Sequence, residues 1–370
     1  MKRLLAMLDA DEGTLEEAIL EIPAARYLDE EYWKKEVETL FHKGPILLGL
    51  SCEIPEPNTY SALENVPGFR IVLTRDAEGK AHAFFNACRH RGAPVASGRG
   101  KASRFSCPYH AWTYSSDGSL LTVQKERLFG KCDKSSLSLA EIRVEEKYGL
   151  IFGVLDSEVP FDLDGFLGDF GPELEALDLE NTSLLWTETY SGPNWKFCRD
   201  GYIENYHFGS VHATSLPSLI GNVNVTDHFG PHSLMLLPNQ SLNSQRHLPE
   251  NQWDGPAALS DVQVLFPNAQ ISTARGDFPL VVRVFPGDRA DRSTGVQMLL
   301  TRKEVTPDVV EEGKAQLELY RQVTQQEDYV LDYAIQHAAE NNQSKSFLIG
   351  RNEPAVQNFH KSIAKALDGE

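Results

Sequence analysis

Two short segments each pair a cysteine with a histidine: Cys88-Arg-His90 and, sixteen residues later, Cys107-Pro-Tyr-His110. Each pair stands where a strand-like run gives way to turn-formers, so two loops can converge on one centre. Two thiolates and two imidazoles could hold zinc in a tetrahedral site. Zinc fingers, however, group two cysteines as one pair and two histidines as the other, whereas here each pair supplies one of each. Mixed pairs suit a [2Fe–2S] cluster in which one iron takes both thiolates and the other both imidazoles, which raises the reduction potential above that of an all-cysteine cluster. Arg91-Gly92-Ala93-Pro94 and Ala111-Trp112-Thr113-Tyr114 extend the loops with tight turns and an aromatic cover.

A second constellation lies downstream, in Glu204-Asn-Tyr-His207-Phe-Gly-Ser-Val-His212. Five residues on a regular helix separate two side-chain directions by about 140°, so an undistorted helix cannot turn both histidines to one ion. Gly209 between them can relax the backbone and let His212 swing back. Two histidines and a carboxylate leave positions open for dioxygen and substrate, the arrangement of non-haem Fe(II) oxygenases. Alone, this spacing also fits two unrelated polar histidines; the cluster motif upstream favours the metal. Glu204 lies three residues before His207, on the same side of a helix, and can accept the free imidazole N–H. Asp200 is a weaker candidate for the same work, and Cys198 suits packing better than ligation. The third ligand comes from farther along, where Glu327, Asp328, Asp332 and Glu340 compete on one helix whose acids are mostly a wet face.

The remaining cysteines, Cys52 and Cys132, lack such partners and suit small packing positions. Five scattered cysteines form no disulfide framework. With 35 basic against 53 acidic residues, the net charge of -18 repels phosphate backbones and anionic membranes, so nucleic acid is not the expected partner. No apolar run approaches a bilayer span, and the opening segment turns acidic early, which predicts a soluble, cytoplasmic protein.

These residues need a scaffold, and 370 of them exceed what one core usually organises. Residues 14–42 read as helical pieces interrupted by Pro23. From residue 44 to about 156, runs such as GFRIVLT, KAHAFFNA and YGLIFGVL separated by turn residues predict a small antiparallel domain. A helix-like stretch covers 194–210. Strands follow at VQVLFP, QISTA, PLVVRVF and TGVQMLLTRK, then a long helix from about 308 to 339 behind the Thr306-Pro307 start signal. The expectation is α+β, with a helix gripping a curved antiparallel sheet. No Gly-rich dinucleotide fingerprint occurs in a strand–helix setting.

NACRHRG…CPYHAWTY resembles the Rieske motif of ring-hydroxylating and related oxygenases, and Glu204-x-x-His207-x₄-His212 resembles their catalytic motif, as do the flanking IPAARYLDEEYWKKEVETLF and GRNEPAVQNFH. The resemblance implies a Rieske non-haem iron oxygenase α subunit, with a Rieske domain at 44–158 and a mononuclear iron domain from 1–43 and 159–370. It implies that Cys88 and Cys107 bind one cluster iron and His90 and His110 the other. It selects Asp328 to complete the Fe(II) site with His207 and His212, with Glu327 the fallback. Glu204 would bridge, in a homotrimer, the iron-binding histidine of one subunit to a cluster-binding histidine of the next. Electrons would come from NAD(P)H through a separate flavin reductase, with or without a ferredoxin, and O₂ would hydroxylate, dihydroxylate or oxidatively demethylate a small organic substrate. Glu204 stands where many ring dihydroxylases carry Asp, and Glu there is more familiar among enzymes of non-aromatic or alkylamine substrates. Residues 213–240 and 265–300 are expected to line the pocket, with Phe266, Phe278 and Phe285 as candidates. A non-catalytic Rieske electron carrier or sensor is the alternative.

Overall fold

The computed structural model describes residues 1–130, 132–216, 222–273 and 276–369, which divide into two compact units. One unit comprises residues 40–166 with 178–180, the other residues 1–39, 167–177 and 181–370.

The smaller unit is built on a seven-stranded antiparallel sheet in the order Ile46–Leu50, Leu150–Val154, Glu141–Lys147, Ala81–Phe85, Phe69–Arg75, Thr59–Val66, Arg99–Lys101. The three runs read as strands from sequence are all present, because β-branched and aromatic side chains pack well on a pleated surface. A second sheet of three short strands, Arg104–Ser106, Thr113–Ser115 and Leu120–Thr122, carries the second Cys/His pair. Val72, Phe84, Phe105, Trp112, Tyr114 and Leu120 form a core that also buries Cys88 and Cys107.

The larger unit holds a seven-stranded antiparallel sheet in the order Ser183–Gly192, Ser293–Thr301, Leu280–Pro286, Ala269–Ser272, Leu259–Leu265, His232–Pro238, Val225–Phe229. The helix Pro307–Arg321 packs on the strands Ser183–Gly192 and Ser293–Thr301. Close approach is possible because Gly313 faces Leu185, where an added Cβ would sit 2.8 Å from Leu185 Cδ1. Thr306 caps this helix, accepting a hydrogen bond from Val309 N at 3.3 Å, and Pro307 occupies its first turn. The coil then widens into a π-helical stretch, Gln322–Asp328, before resuming as Tyr329–Glu340.

Three expectations need correction. Leu20–Pro23 is a strand paired with Ser346–Ile349, since a distant strand satisfies backbone groups that local periodicity assigned to a helix. The stretch 194–210 is two helices, Trp195–Tyr202 and the single turn Phe208–Val211, separated by irregular chain that contains Glu204. The break therefore precedes His207, and Gly209 sits inside the short helix rather than relaxing it. The helix Pro354–Asp368, which buries Ala355, Val356, Phe359 and Ile363, closes the chain.

Candidate metal centres

The two Cys/His loops share one backbone solution. Cys88 N donates to Ala93 O and Gly92 N to Cys88 O, each at 2.8 Å. Cys107 N donates to Trp112 O at 2.8 Å and Ala111 N to Cys107 O at 2.9 Å. The fourth residue after each cysteine has positive φ, 79° at Gly92 and 54° at Ala111. The two loops thus share one backbone closure around their cysteines, with His90 two residues after Cys88 and His110 three after Cys107. Asn86 braces the first loop, accepting from Val95 N at 2.8 Å and Ala96 N at 3.1 Å while donating to Ala96 O at 2.8 Å.

Cys88 and Cys107 are buried, and the rings of His90 and His110 lie 4.7 Å apart. Nδ1 of both histidines is buried without a hydrogen-bond partner. Orphaned polar atoms are costly unless something unseen satisfies them. Two buried thiols and two orphaned imidazole nitrogens therefore fit an iron–sulfur cluster held by Cys88, Cys107, His90 and His110. Trp112 stacks on His90 at 5.1 Å, Phe129 meets it edge-on, and Tyr109 stacks on His110. Desolvation, then the neighbouring His110 and Arg91, hold His90 below the ordinary histidine pKa, favouring the neutral imidazole that a metal requires. The Tyr114 hydroxyl lies 3.2 Å from Cys88 Sγ and accepts a hydrogen bond from Arg89 N at 3.0 Å.

In the larger unit, His207 and His212 flank a single helical turn, and this geometry turns both rings inward. Their Nε2 atoms are 3.0 Å apart. Asp328 Oδ1 lies 2.9 Å from His212 Nε2 and 3.6 Å from His207 Nε2. Donor atoms of these three residues lie within 4.8 Å of one another, the only such group of three among the described residues. Their chemistry fits Fe(II) with open coordination positions. Burial disfavours the charged form of His212, but hydrogen bonds and charge from Asp328 and Glu327 outweigh it and raise its pKa.

The competing acids take other places. Glu204 Oε1 holds His207 Nδ1, from the irregular chain rather than from a helix. Glu327 Oε2 holds His212 Nδ1 at 2.7 Å. Asp332, beside Asp328 on the helix, is nearly buried and its Oδ2 lacks a partner; desolvation and then Asp328, Asp200 and Glu204 push its pKa well up. Glu340 accepts from Gln336. Asp200 does not reach His207; it accepts from Tyr27 OH at 2.6 Å and sits 2.8 Å from His360 Nε2. Cys198 is buried near Ser293, and burial pushes its thiol up to about 12. Cys52 and Cys132 are half-buried, the latter packed on the core around the cluster loops.

A cavity of about 310 Å³ opens beside the triad, walled by Tyr202, Phe208, Tyr320, Leu216, Val262 and Leu280, with Asp261 among its polar groups. Phe266, Phe278 and Phe285 are not in its walls; Phe266 and Phe285 are core. The expected stretches contribute Leu216, Leu237, Ser272, Thr273 and Leu280, while 217–221 and 274–275 lie outside the described residues. A second hollow, of about 260 Å³, meets the triad at His207 and Asp328 and gathers Asp200, Glu204, Asp332 and Glu353. Desolvation leads the causes that push Glu353 up to about 7, with Glu204 and Asp200 adding to it. Sequence reasoning missed Asn86, Tyr27 and His360, whose partners lie on other elements and leave no local spacing signal. No described helix is long and apolar enough to cross a membrane.

The family model for the Rieske [2Fe–2S] domain matches residues 45–130, and that for the ring-hydroxylating α subunit catalytic domain matches 183–369. The glycine betaine monooxygenase oxygenase subunit of Pseudomonas aeruginosa is 34% identical over 56% of this chain and 48% of its own length, so the match spans about half of that relative. The carnitine monooxygenase oxygenase subunit of Acinetobacter baumannii is 30% identical over 85% of this chain and 84% of its own. A quaternary ammonium Rieske monooxygenase solved with L-carnitine superposes with a TM-score of 0.78 at 24% identity, covering 92% of this chain and 94% of that one, a likeness of fold. Motif, geometry and comparison agree, and the chain belongs to the ring-hydroxylating α subunit family of Rieske oxygenases.

Proposed function

We propose that the protein is the oxygenase component of a multicomponent system, with residues 44–158 as its cluster domain and 1–43 and 159–370 as its catalytic domain. Cys88, His90, Cys107 and His110 hold the cluster, and His207, His212 and Asp328 hold Fe(II). The carrying observation is that these three donors converge beside a cavity. When bound, the cluster supplies electrons and the ferrous ion a place where dioxygen is reduced next to substrate. Glu204 fixes the tautomer of His207 by taking its Nδ1–H, leaving Nε2 toward the triad. A purely electron-carrying role would leave the triad and cavity without use.

The substrate is a small organic cation, hydroxylated at a carbon beside nitrogen and thereby dealkylated. Tyr202, Phe208 and Tyr320 line the cavity with aromatic rings and Asp261 adds a carboxyl group, the combination that favours an ammonium group. The relatives named for glycine betaine and carnitine support that class. A separate NAD(P)H-dependent flavin reductase supplies electrons to a cytoplasmic homotrimer. Exposed Tyr109, Leu128 and Phe129 near the cluster loops, and exposed Leu331 and Leu348 at the acidic hollow, support copies meeting through these faces.

Two measurements test this. Asp328→Ala should keep the Rieske spectrum, carry roughly two irons per chain instead of about three, and lose oxygenation. With a surrogate reductase, trimethylammonium compounds should trigger NADH consumption coupled to aldehyde release; full iron in Asp328→Ala would refute the ligand assignment, and coupling only with uncharged arenes the substrate class.

A further inference from the structure

Glu327 and Asp328 are consecutive, and on an α-helix consecutive side chains diverge by about 100°. Here they lie in the π-helical stretch Gln322–Asp328, whose wider turn is a form concentrated at functional sites. Both carboxylates address one imidazole from opposite ends. Asp328 Oδ1 is 2.9 Å from Nε2 of His212, and Glu327 Oε2 is 2.7 Å from its Nδ1. The extra methylene of glutamate provides the reach to the far nitrogen. Glu327 is itself fixed: Ser215 Oγ donates to the same Oε2 at 2.7 Å, and Gln322 Nε2 donates to Oε1 at 2.9 Å. It is absent from the walls of both cavities at the triad.

We propose that Glu327 is a positioning residue which locks the tautomer and ring orientation of His212, so that Nε2 is presented to the metal. His207 and His212 thereby have matching supports, Glu204 on one and Glu327 on the other. The proposal rests on the assignment of His212 and Asp328 as ligands. A carboxylate on the far nitrogen also makes the imidazole a stronger donor, and losing such a group typically weakens metal affinity 10- to 100-fold.

The test measures ferrous-iron affinity by chelator competition in the full-length protein with its cluster loaded, for Glu327→Ala, Glu327→Gln and Asp328→Ala. Visible absorption of the cluster reports folding in each. Glu327→Ala should bind iron roughly 10- to 100-fold more weakly. Glu327→Gln should recover most of that loss, because its amide oxygen can accept the same N–H. Wild-type affinity in Glu327→Ala overturns the proposal. So does a complete loss in both Glu327 variants equal to that of Asp328→Ala, which would make Glu327 a ligand. Retention of the third iron by Asp328→Ala would instead overturn the underlying site, a result separable from the first two.

Discussion

The two centres solve the same problem, holding imidazoles still, by opposite means. In the cluster loops the Nδ1 atoms of His90 and His110 have no protein partner and are the nitrogens that fit the iron, while the rings are fixed by stacking on Trp112 and Tyr109. In the larger unit, Nδ1 of each histidine is occupied by a carboxylate, and it is the Nε2 atoms that converge. Neutral imidazoles in place of two thiolates keep negative charge off such a cluster and its potential high. Carboxylate-backed Nε2 strengthens the donors of an ion that must stay bound while its other positions exchange.

The most severe break in this contrast is at the thiolates. Cys88→Ser and Cys107→Ser should each abolish the visible absorption and the low-g electron resonance of the reduced protein, because a hydroxyl is a poor replacement for a thiolate ligand of the cluster iron. Zinc in the colourless wild-type protein at one per chain would overturn the cluster assignment.

Next in size is Glu204. Glu204→Ala should retain the cluster, weaken mononuclear iron binding roughly 10- to 100-fold as the matching change at Glu327 should, and at saturating iron still turn over on the order of 100-fold more slowly. Near-wild-type turnover would remove Glu204 from any coupling role.

How much of this was legible follows from where each partner lies. Cys88, His90, Cys107 and His110 come from two short segments with one repeated backbone closure, so spacing alone marked them as candidates. Asp328 stood out among four acids only through the family pattern, because nothing in helical periodicity foretells a π turn. That turn also explains why Glu327, placed by regular geometry on another face, reaches His212 instead. The strand Leu20–Pro23 went unseen since its partner is more than 300 residues away. Phe266 and Phe285 were drawn to the pocket by type, whereas Phe285 is buried on the strand Leu280–Pro286 and Phe266 in the turn that follows Leu265.

Two buried asparagines extend the comparison to the scaffolds. Asn86 satisfies three backbone groups beside the cluster loop, and Asn205 donates to Val223 O at 3.2 Å and accepts from Asn224 Nδ2 at 2.8 Å beside His207. Replacing either by Ala strands buried polar groups and should cost about 1–3 kcal/mol. The consequences should separate: Asn86→Ala should bleach its cluster faster in air with mononuclear iron unchanged, and Asn205→Ala should lose mononuclear iron with the cluster unchanged. Identical losses of both metals would mean that the asparagines act only on global stability.

The smallest effect isolates one hydrogen bond. Tyr114 is buried, and its hydroxyl can donate to Cys88 Sγ at 3.2 Å while accepting from Arg89 N. Burial, then the bond to Cys88, raises the pKa of this phenol, so it remains protonated and able to donate. A donor aimed at a thiolate stabilises the reduced cluster more than the oxidised one, because reduction adds negative charge to the sulfurs. Tyr114→Phe removes that donor and little volume. A neutral hydrogen bond contributes about 0.5–1.5 kcal/mol, and for one electron about 59 mV corresponds to a tenfold change in equilibrium. The potential should therefore fall by roughly 20–65 mV with the absorption spectrum retained. The change is specific to this centre: the imidazoles of the larger unit are backed by carboxylates, and no tyrosine there touches a ligand through such a bond among the described contacts. An unchanged potential in Tyr114→Phe, measured with a fully loaded cluster, would show that the hydroxyl serves Arg89 N alone.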